Sequence, residues 1–167
     1  MKDLIILAGA PGSGKSTIGE LLREQESFVL IDFGWLRQGH LDNKWSNATP
    51  EEEAMAFENL VFIIKNYWKH GYKNIIVTDL REDRITILAE TFKTSDHIVI
   101  SLVVMNDEEL KNRVLGERDS GFKNVEEATE WNRGLISRHL RPHEHKIDNT
   151  ERDPAKAVKE ILELLRK

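Results

Sequence analysis

Cysteine is absent from this sequence of 167 residues. Its absence excludes disulfide bonds, thiolate metal ligands and cysteine nucleophiles, and it suits a reducing compartment, so we expect a cytoplasmic protein. Long apolar runs are absent too, and a helix that spans a bilayer needs about 20 such residues. The longest early run, residues 4–8, is too short for the core of a signal peptide, and we interpret it as a first strand. We therefore expect no membrane association.

Positively charged residues are fewer than negatively charged ones: the sequence has 24 Lys and Arg residues and 29 Asp and Glu residues, which gives a net charge of −5. Proteins that bind long nucleic acids are usually basic, so this balance disfavours a polynucleotide partner but leaves room for a local basic cleft. The length favours one domain, residues 1–167, with a sizeable core.

The most informative stretch is residues 9–17, which fit the pattern G-x-x-x-x-G-K-[S/T] between an apolar run and an amphipathic segment. Glycines in such a loop allow successive backbone N–H groups to point at one anion at the start of a helix. The pattern predicts that a nucleoside triphosphate binds at Gly9, Ala10, Pro11, Gly12, Ser13, Gly14, Lys15, Ser16 and Thr17. Lys15 is predicted to contact the β- and γ-phosphates during catalysis, and the Ser16 hydroxyl to bind Mg²⁺. ATP and Mg²⁺ are the expected cofactors, with GTP left open as an alternative to ATP.

Segments with strand and helix patterns alternate along the rest of the chain. This alternation predicts a parallel sheet with helices on both faces. Helix start signals are clear in places: Thr49 is a predicted cap, Pro50 follows it, and Glu52 would complete a capping box. The predicted strands cover residues 4–8, 28–31, 74–79, 97–105 and 144–149, and the predicted helices between and after them begin near residues 15, 33, 50, 81, 106, 124 and 153.

Two aspartates stand where predicted strands end, Asp32 after the second strand and Asp79 after the third. Ligands of open parallel sheets bind outside the carboxyl ends of the strands, which is also where the phosphate-binding loop lies. Asp32 is a candidate to accept a proton from an acceptor hydroxyl, or to hold Mg²⁺ through water. Asp79 is a candidate anchor for Mg²⁺. For each aspartate the alternative is a helix cap.

With these residues in view, the chain resembles the small P-loop kinases: nucleoside monophosphate kinases, shikimate and gluconate kinases, chloramphenicol phosphotransferase and the kinase domain of polynucleotide kinase. Four stretches carry the resemblance: residues 9–17, Asp32 with Arg37, residues 78–84 with 88–89, and residues 106–118 with 147–150. The resemblance implies an α/β three-layer sandwich of the P-loop NTPase type, with a five-stranded parallel sheet in the order 2-3-1-4-5. It also implies an acceptor-binding segment at residues 33–72 and a lid at residues 116–126.

Several side chains near the two aspartates are candidates for binding the acceptor together with Asp32. Trp35 could stack on a planar or apolar group, as could its neighbours Phe33 and Trp45, although core packing is an equal alternative. Arg37, Arg81 and Arg84 could contact the acceptor or the transferred phosphoryl group, although a surface arginine is more often simply solvated.

In the lid, Arg118 is the favoured catalytic and nucleotide-binding residue, because Gly116 and Gly121 flank it and suit a hinged segment. A cation that arrives when the lid closes would stabilise the phosphoryl oxygens in the transition state. The other candidate arginines are Arg113, Arg133 and Arg138. By resemblance alone, Asn149 and Thr150 border the adenine.

A histidine cluster near the end of the chain offers a different chemistry. His139, His143 and His145 stand beside Glu144, and three such residues could bind zinc. Pro142 interrupts the segment and no second ligand group is evident, so solvated loop residues are the favoured interpretation.

The expected activity is therefore that of a kinase, which transfers the γ-phosphate of ATP to a hydroxyl of a small molecule. One alternative is a kinase for nucleotides or for the 5′-hydroxyl of nucleosides or oligonucleotides, whose acceptor affinity would depend strongly on salt if the acceptor were a polynucleotide. Another is a nucleotide-binding regulatory ATPase without an acceptor. The sequence leaves the acceptor and the oligomeric state open.

Overall fold

The computed structural model of the protein describes residues 2–25, 27–116 and 122–166. Strands and helices alternate, as the sequence predicts. Their order is β1 Leu4–Gly9, α1 Lys15–Arg23, β2 Val29–Asp32, α2 Phe33–Gln38, α3 Pro50–Lys69, β3 Ile75–Thr78, α4 Glu82–Thr91, β4 His97–Val103, α5 Asp107–Leu115, α6 Val125–Ser137, β5 Glu144–Asp148 and α7 Pro154–Leu165.

The five strands form one parallel sheet in the order β2-β3-β1-β4-β5, which confirms the predicted fold class. Ile5 in the central strand pairs with Ile76 of β3 on one side and with Ile98 of β4 on the other. Since β1, β3 and β2 are neighbours and run in the same direction, their carboxyl ends share one edge. This edge brings together the loop after β1, Asp32 and Asp79.

The core lies on both faces of the sheet. Successive side chains of a strand point to opposite faces. Leu4 and Ile6 pack on the side that also buries residues of α3 and α4, whereas Ile5 and Leu7 pack on the side of α1 and α7. All six residues of β1 are buried, as is typical of a central parallel strand covered by helices on both faces. None of the helices in the described ranges is long and apolar enough to cross a membrane.

The helix starts follow the predicted capping residues. The Thr49 hydroxyl accepts a hydrogen bond from the Glu52 backbone N–H at 3.1 Å, and Asn106 and Asn124 cap α5 and α6 in the same way. The second half of the predicted capping box is wrong, because the Glu52 carboxylate is directed to Arg37 and His40 of the preceding segment instead. A hydrogen bond between two charged groups is stronger than one to a backbone N–H, which explains the preference.

A cluster of ionic side chains around the buried Glu144 joins β4 and β5 near the start of β5. Glu144, the first residue of β5, receives hydrogen bonds from two nitrogens of Arg138, at 2.8 and 2.6 Å, from the Arg141 backbone N–H, and from the Ser101 hydroxyl in β4. Both arginines also contact Glu82 at the start of α4. Burial by itself would raise the pKa of Glu144, but these hydrogen bonds outweigh it and lower the pKa to about 2.

This cluster predicts a specific loss of stability in acid. The pKa of Glu144 falls from 4.5 to about 2 on folding, so its contribution is complete above pH 4.5 and disappears as the pH falls towards 2. The shift corresponds to a contribution on the order of 3 kcal/mol. Urea unfolding from pH 6 to pH 2.5 should show that Glu144→Gln lowers the unfolding free energy most near neutrality. The difference from the wild type should shrink in acid, and a difference independent of pH would contradict the assignment.

Candidate functional site

The loop after β1 has the shape that the glycine pattern predicts. Gly9 and Gly14 have φ angles of 149° and 102°, which L side chains rarely adopt. A Cβ atom at Gly9 would overlap Ser13, and one at Gly14 would overlap the Asn149 amide. The loop then enters α1 at Lys15, so its backbone N–H groups lie at the positive end of a helix. This strand, loop and helix form the arrangement that binds phosphate groups.

Lys15 lies across the loop that precedes it. Its Nζ atom donates hydrogen bonds to the backbone oxygens of Gly9, at 2.8 Å, and Ala10, at 3.2 Å. Burial raises the pKa values of Asp32 and Asp79, and the positive charge of Lys15 opposes that rise in both, so the two carboxylates are within its electrostatic reach. Ser16 and Thr17 are exposed in the first turn of α1.

Two carboxylates converge on the second residue of α2. A Cβ atom at Gly34 would lie 2.6 Å from Asp79 Oδ2 and 3.1 Å from Asp32 Oδ1. Glycine at this position therefore leaves the space in which the two aspartates meet. Asp79 adopts a left-handed backbone conformation, with φ of 64°, directly after β3. Non-glycine residues seldom adopt this conformation, and aspartate is among those that tolerate it.

The capping alternatives have different outcomes for the two aspartates. Asp32 does cap α2, because its Oδ1 atom accepts a hydrogen bond of 3.0 Å from the Trp35 backbone N–H. A carboxylate has a second oxygen, so this role and a chemical one are compatible. The alternative for Asp79 is wrong, because α4 begins at Glu82 with Arg81 in the capping position.

Both carboxyl groups are less acidic than ordinary aspartates. Burial is the main cause that raises the pKa of Asp32, and the neighbouring charge of Asp79 adds to it, against the hydrogen bond from Trp35. Loss of contact with water also raises the pKa of Asp79, although that residue as a whole is exposed, while Lys15 and Arg37 act in the opposite direction. The site thus contains two crowded carboxylates next to one lysine.

The arginines predicted near these aspartates differ in their surroundings. Arg37 and Arg84 are largely buried in ion pairs with two consecutive glutamates of α3, Glu52 and Glu53. Arg81, by contrast, is exposed two residues beyond Asp79. Sequence reasoning assigned Glu52 only to the capping box and missed Glu53, although their place in the first turn of α3 could have indicated partners beyond the helix.

The predicted tryptophans also lie at this end of the molecule. Trp35 is 59% exposed in the first turn of α2, and Trp45 is 40% exposed with its ring 4.9 Å from the Arg37 guanidinium. Phe33 is buried and packs edge-on against Phe57 at 6.3 Å between ring centroids. Phe33 therefore belongs to the core, whereas the two tryptophans are accessible.

The Asn149 side chain contacts the backbone of the phosphate-binding loop. Its side-chain nitrogen donates a hydrogen bond of 2.8 Å to the Ser13 backbone oxygen, and the residue is buried at the end of β5. Arg113 fixes the same connection, since it donates to the backbone oxygens of Asn149 and Thr150, both at 2.8 Å. The role of Asn149 and Thr150 beside an adenine stays a prediction.

The remaining candidate arginines and the histidines make other contacts. Arg118 lies outside the described residues, as do the other residues of 117–121 in the predicted lid at residues 116–126. Arg133 pairs with Asp107 on the surface, and Arg138 belongs to the cluster around Glu144. Within the described ranges, no group of three or more histidine and acidic residues could hold a metal ion. His143 instead packs against His97, with 5.2 Å between ring centroids.

Comparison with known proteins agrees with this geometry. A family profile described as an AAA domain matches residues 5–132, which is most of the chain. The chain belongs to this family. An adenylate kinase of Helicobacter pylori (strain HPAG1) is 25% identical to it, over 99% of this chain and 97% of the relative.

Two solved structures with the same fold are described as kinases. A sugar kinase from Janibacter sp. HTCC2649 superposes with a TM-score of 0.69 at 16% identity, covering 99% of this chain and 95% of that one. A gluconokinase from Sinorhizobium meliloti 1021 does so with a TM-score of 0.64 at 16% identity, covering 99% and 96%. Family, relative and fold together confirm the predicted resemblance, and the protein is a P-loop kinase.

The contact between Asn149 and Ser13 predicts a measurable effect on nucleotide binding. Asn149→Ala removes one hydrogen bond that holds the loop, so calorimetry should show ATP binding weakened about three- to tenfold. The exposed Asn59 on α3 provides the control, and Asn59→Ala should leave ATP affinity unchanged. Equal affinities for both variants, with intact thermal stability, would show that the loop does not depend on Asn149.

Proposed function

We propose that this P-loop kinase transfers the γ-phosphate of ATP to a hydroxyl group of a small molecule, in a reaction that needs Mg²⁺. The observation that carries the proposal is the meeting of Asp32 and Asp79 at Gly34, within electrostatic reach of Lys15. Phosphoryl transfer needs a phosphate cradle, charge neutralisation and one carboxylate near the nucleophile. Described residues can supply all three at one edge of the sheet.

In this proposal, residues 9–17 bind the phosphates of ATP through their backbone N–H groups at the start of α1. Lys15 exchanges its contacts with Gly9 and Ala10 for the β- and γ-phosphate oxygens. That exchange keeps the lysine close to its present position, because the two backbone oxygens belong to the loop that would surround the phosphates. Arg118 of the proposed lid would add a second positive charge to the transferred group.

The available donors fit Mg²⁺, which prefers oxygen ligands and keeps several of its waters. Ser16 offers an exposed hydroxyl in the first turn of α1, and Asp79 offers a carboxylate across the same edge. Mg²⁺ bound there would neutralise charge on the phosphate oxygens. Asp79 would hold the ion through a water molecule, which leaves Asp32 available for the acceptor.

Asp32 acts on the acceptor in this proposal. Its raised pKa reflects partial burial and the adjacent Asp79, both of which make the carboxylate a better proton acceptor than an ordinary aspartate. The acceptor oxygen forms a bond to the γ-phosphorus as the bond from that phosphorus to the bridging oxygen of ADP breaks. The hydroxyl proton passes to Asp32. Residues 33–72 would form the acceptor side of a single domain, residues 1–167, and residues 116–126 its lid.

Asp32→Asn tests the proton acceptor directly. The amide keeps the shape of the side chain and a capping oxygen for Trp35 but cannot accept the proton, so kcat should fall by about 10²- to 10⁴-fold. A coupled assay of ADP release should show this loss. Calorimetry should show an ATP affinity within a factor of about three of the wild-type value, a difference in binding free energy smaller than one hydrogen bond to a charged group. A variant that works at the full rate would remove Asp32 from the mechanism.

Gly34→Ala tests whether the two aspartates must meet. Gly34 is helical, so alanine by itself should stabilise α2 by about 0.5–1 kcal/mol. The added methyl group would nevertheless displace one carboxylate, and we expect transfer to fall at least about tenfold, the equivalent of 1.4 kcal/mol. Gly39→Ala is the matched control, because a Cβ there would only touch the Leu36 backbone oxygen at 3.7 Å. Equal turnover in the two variants would contradict the proposed arrangement.

An acceptor screen tests whether this member of the P-loop kinases transfers phosphate to an acceptor or only hydrolyses ATP. Turnover of ATP would be measured alone and with sugars, polyols, nucleosides, nucleoside monophosphates and 5′-hydroxyl oligonucleotides. Stimulation that Asp32→Asn abolishes would establish transfer and name the acceptor class. Unchanged slow hydrolysis with every acceptor, together with nucleotide-dependent binding to a protein partner, would favour a regulatory ATPase.

A further inference from the structure

We propose that the acceptor is an uncharged polyhydroxyl compound, and that the protein discriminates against acceptors that carry a phosphate or a carboxylate. This inference rests on the proposed function and concerns the same site. Its basis is that two partly buried arginines on the acceptor side, Arg37 and Arg84, already have carboxylate partners inside the protein.

The first of these arginines belongs to α2. Arg37 Nε donates to Glu52 Oε1 at 3.1 Å, and a second guanidinium nitrogen contacts the other carboxylate oxygen. The two side chains are only 16% and 10% exposed, and His40 Nε2 lies 2.7 Å from the same carboxylate. Because Glu52 occupies one edge of the guanidinium and neutralises its charge, an incoming anion would gain less from Arg37 than from an arginine without a carboxylate partner.

The second arginine belongs to α4 and repeats the arrangement. Arg84 Nε donates to Glu53 Oε1 at 2.8 Å, and another of its nitrogens contacts Glu53 Oε2. The side chains are 20% and 22% exposed, and the guanidinium lies 4.9 Å from the centre of the Phe57 ring. Consecutive glutamates of α3 therefore neutralise one arginine on each neighbouring helix.

The formal charges of the residues described for the acceptor side sum to a negative value. Four carboxylates (Asp32, Asp79, Glu52 and Glu53) stand against the two guanidiniums, while Lys15 serves the phosphates of ATP. Arg81 lies two residues beyond Asp79 and is exposed, so water and salt screen its charge. A phosphate or carboxylate on the acceptor would therefore approach two crowded aspartates, and the cations beside them in the described part of the chain are paired with glutamates, engaged with ATP or exposed.

The apolar surface available at this side suits a polyhydroxyl ring. Trp35 and Trp45 are 59% and 40% exposed, and both belong to the segment that follows Asp32. Aromatic faces pack against the C–H surface of such rings, and hydroxyl groups of the same ring can donate hydrogen bonds to carboxylates. An uncharged acceptor can thus be held without a cation.

The test uses acceptor pairs that share a skeleton and differ in charge: glucitol with gluconate, and adenosine with AMP. With the wild-type protein, we expect the uncharged member of at least one pair to stimulate ADP release, and the anionic member to give a kcat/KM at least tenfold lower. A kcat/KM for gluconate or AMP equal to or above that of its uncharged partner would overturn the inference.

A binding measurement keeps the inference testable even if no acceptor in the panel is turned over. AMP and gluconate would be titrated calorimetrically in the presence of a saturating, non-hydrolysable ATP analogue, which blocks the nucleotide site. We expect no binding by the wild type below millimolar concentrations. Glu52→Gln and Glu53→Gln each release an arginine, and at least one should bind an anion about tenfold more tightly, the equivalent of a single charged hydrogen bond.

Glu51→Gln is the matched control, because Glu51 lies in the same turn of α3 but is exposed. It removes the same charge without releasing a buried arginine, and anion binding should stay as in the wild type. Micromolar binding of AMP or gluconate by the wild type would overturn the inference. So would an equal gain in all three variants, or no gain in either Glu52→Gln or Glu53→Gln when both remain folded. If no acceptor stimulates ADP release but the binding results are as expected, the charge inference stands and the proposed transfer fails.

Discussion

The close approach of Asp32 and Asp79 at Gly34, with Lys15 in electrostatic reach, is the interaction on which the candidate site depends. The sheet order makes this meeting possible, because β1 lies next to β3 and β3 lies next to β2. Three consecutive carboxyl ends thus deliver the phosphate-binding loop, Asp79 and Asp32 to one edge. Each carboxylate is less stable as an anion than in water, and the lysine offsets part of that cost. Binding of phosphates would change this balance, since the lysine would then share its charge with the nucleotide.

Two further sets of polar contacts join segments that lie around this part of the sheet. The cluster around Glu144 ties the start of α4 to β4, to β5 and to the turn after α6. Asn149 and Arg113 fix the connection after β5 against the phosphate-binding loop. These contacts join segments far apart in the sequence, and most are removed from water.

The sequence was sufficient to predict most of the fold, because the features that determine it are local. Alternating strands and helices, the glycine pattern of residues 9–17, and the caps at Thr49, Asn106 and Asn124 each depend on neighbouring residues. Asp32 and Asp79 could also be selected from their positions at strand ends. The partners of Arg37, Arg84 and Asn149 could not be predicted, since they lie 15, 31 and 136 residues away, and contacts between distant side chains leave no local pattern. The backbone conformation of Asp79 and the space beside Gly34 also depend on the tertiary structure, so no local sequence pattern predicts them.

The consecutive glutamates of α3 have a mechanical consequence as well. Neighbouring residues of a helix point in directions about 100° apart, so Glu52 and Glu53 reach past different flanks of α3 to α2 and α4. A helix held at two such points cannot roll about its axis unless one of the buried ion pairs breaks. The helices α2, α3 and α4 consequently form a rigid frame around the meeting point of the two aspartates. If Asp32 acts on the acceptor as proposed, the width of that frame would limit the size of the molecule that can approach it.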